Sequence, residues 1–477
     1  MDTLLTLSAT RLAELIRSRQ ATSRDILERH IARIEAVNPA LNAVVAKRYT
    51  EARFEADAAD ARVLAGEEGL PPFHGVPCTI KECFSLTGMP HSAGLVARKH
   101  VRATSDATTV ARVRAAGAIP MGVTNTSELC MWMETNNRLY GRTNNPYDVS
   151  RIVGGSSGGE GAIVGSGASP FGLGSDIGGS IRMPAFFCGV FGHKPSGGMV
   201  PGTGQFPLAE NDALRYLTTG PLCRRAEDLM PLLHLLAGPD GEDARCERMP
   251  LGDPTSVDWT RMRVLDVREN GILEPDVVLQ MEQEHVARHF EKLGAKVERR
   301  VFPQLESSLE IWSAMLDAAG GTSFAALLGE GKPIESAWQL ARWFLRASPH
   351  TLPAIVLALI EKVPHLMPGR AKELVQQGID LRGELQRELG EDGILLFPSY
   401  PHVAPKHYSP LIPPIGWAYT AIINVLQLPA TQVPMGLGGD GLPLGLQVIA
   451  AHGFDHLTIA AALELERAFG GWVPPHG

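Results

Sequence analysis

Apolar residues recur at helical spacing from Ser8 onward. Leu12, Leu15 and Ile16 predict a first helix, and Leu27, His30, Ile31 and Ile34 give a second helix one buried face. Thr22 and Asp25 read as the box that caps this second helix, and Asn38 with Pro39 is expected to end it. His30 sits within the apolar stripe, so it reads as a packed core histidine. Glu51 to Leu64 is alanine-rich and predicts a third helix. His74 to Phe84 then reads as a turn and a buried strand, and a helix over Ser105 to Ala116, a turn at Gly117 and a strand over Ala118 to Thr124 complete a β, α, β alternation.

The later chain continues in the same style. Strands are expected at Phe187 to Pro195, Arg261 to Val267, Lys296 to Arg300 and Ile394 to Pro398, with a helix over Glu274 to Leu293 as a further crossover. Gly220 to Leu236 reads as a loop and a helix. Leu428 to Gln447 alternates short apolar runs with Pro and Gly, as buried strands joined by tight turns do. Asp455 is placed to cap a last helix with Leu457, Ala460, Ala461 and Leu465 inward, stopped by Gly470 and Gly471. Between Ser336 and Lys372, Trp338, Leu340, Trp343, Phe344, Leu345 and Leu352 to Ile360 lie among Arg342, Arg346, Lys362 and Arg370. That pattern predicts amphipathic helices, either packed on the core or forming a lid or membrane-facing surface. The fold class is α/β. Residues 1–477 read as one unit, with 336–372 as a candidate lid or cap.

One stretch departs from any periodic pattern. Gly154 to Pro184 carries two glycine and serine clusters separated by Ala162 to Ala168, which suits a tightly packed helix, and by Phe171 to Gly174, which suits a short strand. Glycine lets other groups approach the main chain, so the clusters suggest exposed N–H groups and hydroxyls, the materials of an oxyanion or phosphate site. A phosphate loop of the GxxxxGK[ST] type or a low-complexity linker would look different, and neither pattern is present.

Charge and composition remove other classes. The chain has 477 residues, a formal charge of −8 and a pI near 6.0, so no basic footprint for nucleic acid exists. Its six cysteines form no CxxC pair and its fifteen histidines no HExxH, which leaves zinc and a disulfide framework unsupported. Met1 to Thr10 lacks a basic segment followed by a long apolar one, and a reducing, cytoplasmic setting is expected.

Lys81 stands among Val76, Cys78, Ile80 and Phe84. It is either a strand-end lysine reaching water or a buried amine whose charged form is disfavoured, available as a base. Gly154, Gly155, Ser156, Ser157, Gly158 and Gly159, followed by Asp176, Gly178, Gly179, Ser180, Arg182 and Pro184, resemble the amidase signature family without a gap. His74, Gly75, Val76 and Pro77 with Lys81 four residues on resemble that family's other hallmark, which favours the base reading. The likeness covers nearly the whole chain and is greatest to the fatty acid amide hydrolases, including the 24-residue spacing of Ser156 and Ser180. Val153, where proline is common, and His193, where leucine is common, depart from it.

The resemblance implies a mixed central sheet sandwiched by helices, no cofactor and no metal. It makes Ser180 the nucleophile, Ser156 the bridging hydroxyl and Lys81 the base, with the N–H groups of Ile177, Gly178, Gly179 and Ser180 as the oxyanion hole. It places Ser157 near Lys81, gives Asp176 and Arg182 a bracing role, and implies a cis peptide before Ser156. Cys130, Met131, Trp132 and Met133 are soft and apolar, suited to core packing or to a pocket wall, and Cys130 and Met131 are the candidate pocket residues. The expected substrate is an apolar acyl or aryl amide, or a related ester or carbamate, with long acyl chains met by Trp343 and Phe344. Membrane contact and a homodimer stay open. The alternatives are the A subunit of glutamyl-tRNA amidotransferase and a binding protein without catalysis.

Overall fold

The computed structural model describes residues 2–361 and 368–475, so Lys362 lies outside the described residues. Its strands in chain order are β1 (Val44–Lys47), β2 (Pro77–Lys81), β3 (Ile119–Thr124), β4 (Asn136–Asn137), β5 (Gly141–Arg142), β6 (Phe171–Asp176) and β7 (Phe191–Lys194). They continue as β8 (Thr218–Cys223), β9 (Arg263–Asp266), β10 (Lys296–Arg299), β11 (Gly393–Phe397), β12 (Ala430–Leu437) and β13 (Pro443–Ala450). β4 and β5 form a small hairpin, and the other eleven make one sheet in the order β1-β3-β2-β6-β8-β7-β12-β13-β11-β9-β10. The sheet is mixed: β3, β2 and β6 run parallel, as do β11, β9 and β10, while β6 with β8, β8 with β7, and β12 with β13 are antiparallel. Helices cover it, as the resemblance implied. The helix Asp455–Phe469 lies on β12 and β13, and Gly158–Gly165 lies against β2, β6 and β8.

Several boundaries differ from the sequence reading. Pro39 does not end the second helix, which runs Ser23–Leu41 and stops at left-handed Asn42. Pro39 lacks the N–H that would bond the carbonyl four residues back, and the helix ends two residues later, where the Asn38 carboxamide secures the exit by accepting the N–H groups of Ala43 and Val44. The helix expected from Ser105 begins at Thr108. Asp106 is taken by Thr87 and Arg114 instead of by a helical turn. Phe187 closes the short helix Arg182–Phe187, so β7 starts later than expected, at Phe191. Gly220 and Pro221 read as loop residues, yet they lie in β8, a central strand that is buried throughout. Asp455 caps no helix N-terminus with its side chain: its carboxylate accepts the Ser196 N–H and hydroxyl and faces His193 Nε2.

The glycine-rich run gave the most informative difference. Its helix is Gly158–Gly165, starting four residues before Ala162, inside the first cluster. These glycines serve contact. A Cβ at Gly161 would meet the Pro184 carbonyl oxygen at 2.9 Å, and one at Gly165 the Cys188 carbonyl oxygen at 2.6 Å. The helix lies against neighbouring backbone on more than one side, and that depth is what carries Ser156 and Ser157 into the sheet.

Gly159→Ala tests this, because its Cβ would stand 2.6 Å from the Asn125 carbonyl oxygen, which belongs to rigid backbone. Overpacking of this kind costs about 1–3 kcal/mol, and chemical denaturation should show the loss. A variant with an unchanged midpoint would mean that the helix can back away from residue 125.

Candidate active site

β2 places Lys81 at its C-terminal end, in register with Thr124 of β3, and pairs on its other side with β6. The lysine is fully buried. Its Nζ donates to Ser156 Oγ at 2.7 Å and to Ser175 Oγ at 3.0 Å. Ser156 follows a cis peptide from Gly155, as the resemblance implied. Thr135 Oγ1 donates to the carbonyl oxygens of Gly154 and Ser156 and accepts the Gly158 N–H, which pins the turn from both sides.

The second cluster is held by a buried ion pair. Arg182 donates to both oxygens of Asp176, at 3.0 Å each, and also to Gln447 Oε1, the Thr420 carbonyl and Asn424 Oδ1. Burial opposes ionisation of Asp176, but the Arg182 charge and hydrogen bonds outweigh it and hold the carboxyl well below the usual range. Asp176 also accepts the backbone N–H groups of Gly179 and Ile181. Gly179 therefore drops out of the expected oxyanion set, since its N–H is spent on Asp176 at 2.6 Å. The N–H groups of Ile177, Gly178 and Ser180 have no acceptor among the described residues.

Ser180 faces a narrow cavity with about 50 Å³ of free space. Cys130 and Met131 line it, together with Trp132, Met133, Ile177 and Gly178. Trp312, Leu357 and Trp417 also line it, three residues that no local pattern groups. Trp343 and Phe344 do not line it, and Phe344 is 72% exposed, because the helix Ser336–Phe344 faces outward while the next helix, Leu352–Ile360, brings Leu357 to the cavity.

A buried lysine and a buried, hydroxyl-anchored serine beside a second serine at an apolar cavity make a site for acyl transfer. Residues 25–459 match the family model described as Amidase. This chain belongs to the amidase signature family. Fatty-acid amide hydrolase 2-A of Danio rerio is 47% identical over 489 residues, spanning 99% of this chain and 90% of its own length. Fatty-acid amide hydrolase 2 of Homo sapiens is 46% identical over 491 residues, spanning 99% and 91%. A solved bacterial aryl acylamidase of the same family has a TM-score of 0.80 at 27% identity and covers 98% of this chain and 97% of its own. The amidase is an amide-cleaving hydrolase.

Some of the amidase's site residues carried no motif of their own. Ser157 does not reach Lys81; its hydroxyl contacts the backbone of Ser175, whose own hydroxyl takes the lysine's second hydrogen bond. The period-two alternation of β6 was the available signal, since it turns Ser175 to the face opposite its neighbours Gly174 and Asp176. His193, one of the two departures, is buried between Thr431 Oγ1 and Asp455 Oδ1, and Val153 is buried in the core, so neither enters the cavity.

Glu160 is the other unforeseen group. Its carboxyl is fully buried and accepts the hydroxyls of Thr79, two residues before Lys81, and Thr124, the lysine's register partner. Burial raises its pKa to about 8, a rise that the two hydroxyls and the Lys81 charge only partly offset. The folded chain thus keeps a proton that the unfolded chain releases near 4.5. Its contribution to stability is complete below that value and declines as pH rises toward about 8. Urea unfolding near pH 4.5 and near pH 8 should show a smaller decline in Glu160→Gln than in the wild type. Equal declines would place the titrating group elsewhere.

Proposed function

We propose that Ser180 is the nucleophile of this amidase, with Ser156 as bridge and Lys81 as base, acting on amides of apolar acyl or aryl groups. The observation that carries the reading is the 2.7 Å hydrogen bond from buried Lys81 to Ser156, set beside a second serine that opens on an apolar cavity.

An amide needs a nucleophile, a proton shuttle and a place for the oxyanion. Lys81 takes the Ser156 proton while Ser156 takes that of Ser180, and Ser180 Oγ attacks the carbonyl carbon. The Ser180 hydroxyl has no hydrogen bond among the described residues, and it closes on Ser156 as substrate settles, the step at which catalytic hydrogen bonds tighten. The N–H groups of Ile177, Gly178 and Ser180 receive the oxyanion. Reversal of the shuttle protonates the departing amine, and water, activated by the same route, releases the acid and restores Ser180. Asp176 and Arg182 brace the loop and take no part in proton transfer.

The substrate class is supported by the cavity's Met, Trp, Ile and Leu lining and by the named activity of the fatty-acid amide hydrolase relatives. We further propose that residues 1–477 act as one unit in the cytoplasm, with 336–372 as its cap. Six free thiols support the reducing setting. No described helix is long and apolar enough to cross a membrane. The outward-facing Trp338, Phe344 and Leu345 support contact of the cap with a lipid surface or a second copy of the chain, which liposome sedimentation and light scattering would separate.

Ser180→Ala should abolish hydrolysis and fluorophosphonate labelling while leaving the thermal midpoint in place. Lys81→Ala should cost activity by at least about 100-fold, and Lys81→Arg should not rescue it, since arginine stays protonated. Undiminished labelling of Ser180→Ala would move the nucleophile elsewhere.

Leu357→Ser reads out the cap. It should lower kcat/KM for long acyl amides more than for short ones, by roughly a few-fold to tenfold, because each buried methylene is worth about 0.8 kcal/mol. Equal losses on both would mark Leu357 as ordinary packing.

A further inference from the structure

The cavity wall, residues 128–134, begins and ends on a glutamate, and both are buried at 3% exposure. Each holds a distant segment by the same two donors, an imidazole and the N–H of the next residue. Glu128 Oε1 lies 2.7 Å from His350 Nδ1, and its Oε2 accepts the Thr351 N–H at 2.7 Å. Glu134 Oε1 lies 2.8 Å from His407 Nδ1, and its Oε2 accepts the Tyr408 N–H at 3.3 Å. Arg142 adds to the second arrangement, with Nε 3.4 Å from Glu134 and its guanidinium over the Tyr408 ring.

Each held segment carries one of the residues that line the cavity. Thr351 is the N-cap of the helix Leu352–Ile360, which carries Leu357 to the cavity. His407 and Tyr408 open the stretch that leads to Trp417, whose ring packs edge-on against Trp312. The wall between the glutamates is itself fixed. Leu129 and Cys130 both have positive φ, and a side chain on Gly155, the residue before Ser156, would strike the Trp132 carbonyl. A rigid wall seated on the signature loop therefore holds both covers by their ends, and neither imidazole lines the cavity.

A buried carboxylate costs several kcal/mol unless donors meet it, so each glutamate keeps its partners and each cover keeps its place. We infer that Glu128 with His350 and Glu134 with His407 are positioning clamps that hold the two covers against the acyl chain and set the preference for long apolar acyl groups. This rests on reading the cavity as the acyl site. A short acyl group meets only the wall and the serines, whereas a long one also gains contact with Leu357 and Trp417, and that gain exists only while the covers are held.

The test compares KM and kcat on a short and a long acyl anilide for His350→Ala and His407→Ala, with each residue also changed to Asn, whose carboxamide N–H takes the place of Nδ1–H. Each alanine variant is expected to raise KM for the long substrate by about tenfold, the worth of one or two methylene contacts, with kcat on the short substrate within about twofold of wild type. The asparagine variants should restore most of the long-substrate KM. An alanine variant that does not fold is replaced by Glu128→Gln or Glu134→Gln, which keeps an oxygen for the backbone N–H and should show the same split. Equal losses on both substrates, an unchanged chain-length profile, or asparagine variants no better than alanine would overturn the clamps. Ser180→Ala is run alongside: residual hydrolysis there would count against the catalytic reading, while the chain-length profile still decides the clamps.

Discussion

The buried pair of Arg182 and Asp176 is the constraint on which the site rests. Two opposite charges with no exposed side-chain surface are stable only if nearly every donor and acceptor is met, and breaking such a pair costs about 3–5 kcal/mol. Here the requirement is met by distant elements at once: Gln447 on β13, Thr420 and Asn424 on the helix Ala418–Val425, and the backbone of residues 179 and 181. Satisfying the charge therefore fixes how the loop between β6 and the helix Arg182–Phe187 curves. Asp176 draws in the N–H of Gly179 and leaves those of Ile177, Gly178 and Ser180 without acceptors, so the ion pair decides which amides face the cavity.

A second constraint acts from below. Lys81 is buried beside Ser156 and Ser175, with Glu160 hydrogen-bonded to the threonines on either side of it. The signature glycines allow this depth, because a side chain at Gly172 would fall on the Glu160 carboxyl and one at Gly174 would stand 3.0 Å from Ser157 Oγ. Glycine here trades chain entropy for the close approach of polar groups that water cannot reach. The same low dielectric that raises the Glu160 pKa strengthens each hydrogen bond the lysine makes.

The sequence was most legible where chemistry and local pattern coincide. Lys81, Ser156 and Ser180 lie in contiguous motifs, and strands such as β3 and β11 are mostly apolar stretches next to turn residues, so both could be read without tertiary information. β8 was not legible, because Gly220 and Pro221 break the local pattern, and only burial between β6 and β7 makes them strand residues. The helix start near Asp106 was misread because that acid is engaged elsewhere, and at the last helix, whose start was read correctly, the same reason removes the capping role expected of Asp455. The helix at Gly158 was misread for a different reason: its glycines disfavour a helix locally, and close packing against Asn125 and Pro184 overrides the preference.

The outer half of the site was hidden by sequence distance. Glu128 and His350 are 222 residues apart, and Glu134 and His407 are 273 apart. No periodicity links them, and the apolar residues that looked ready to meet substrate, Trp343 and Phe344, belong to the outward helix. The floor of the cavity is built from neighbours in sequence and held by buried charge, glycine contact and hydroxyls, whereas the covers are separate segments tied to the wall near their ends. A substitution in the floor perturbs the ion pair or the lysine and so reaches the chemistry. One in a cover can alter what the cavity admits while leaving the reacting groups where they are. On the proposed reading of the cavity as the acyl site, variation in selectivity is therefore physically easier to accommodate in residues 336–361 and 400–417 than anywhere in the signature.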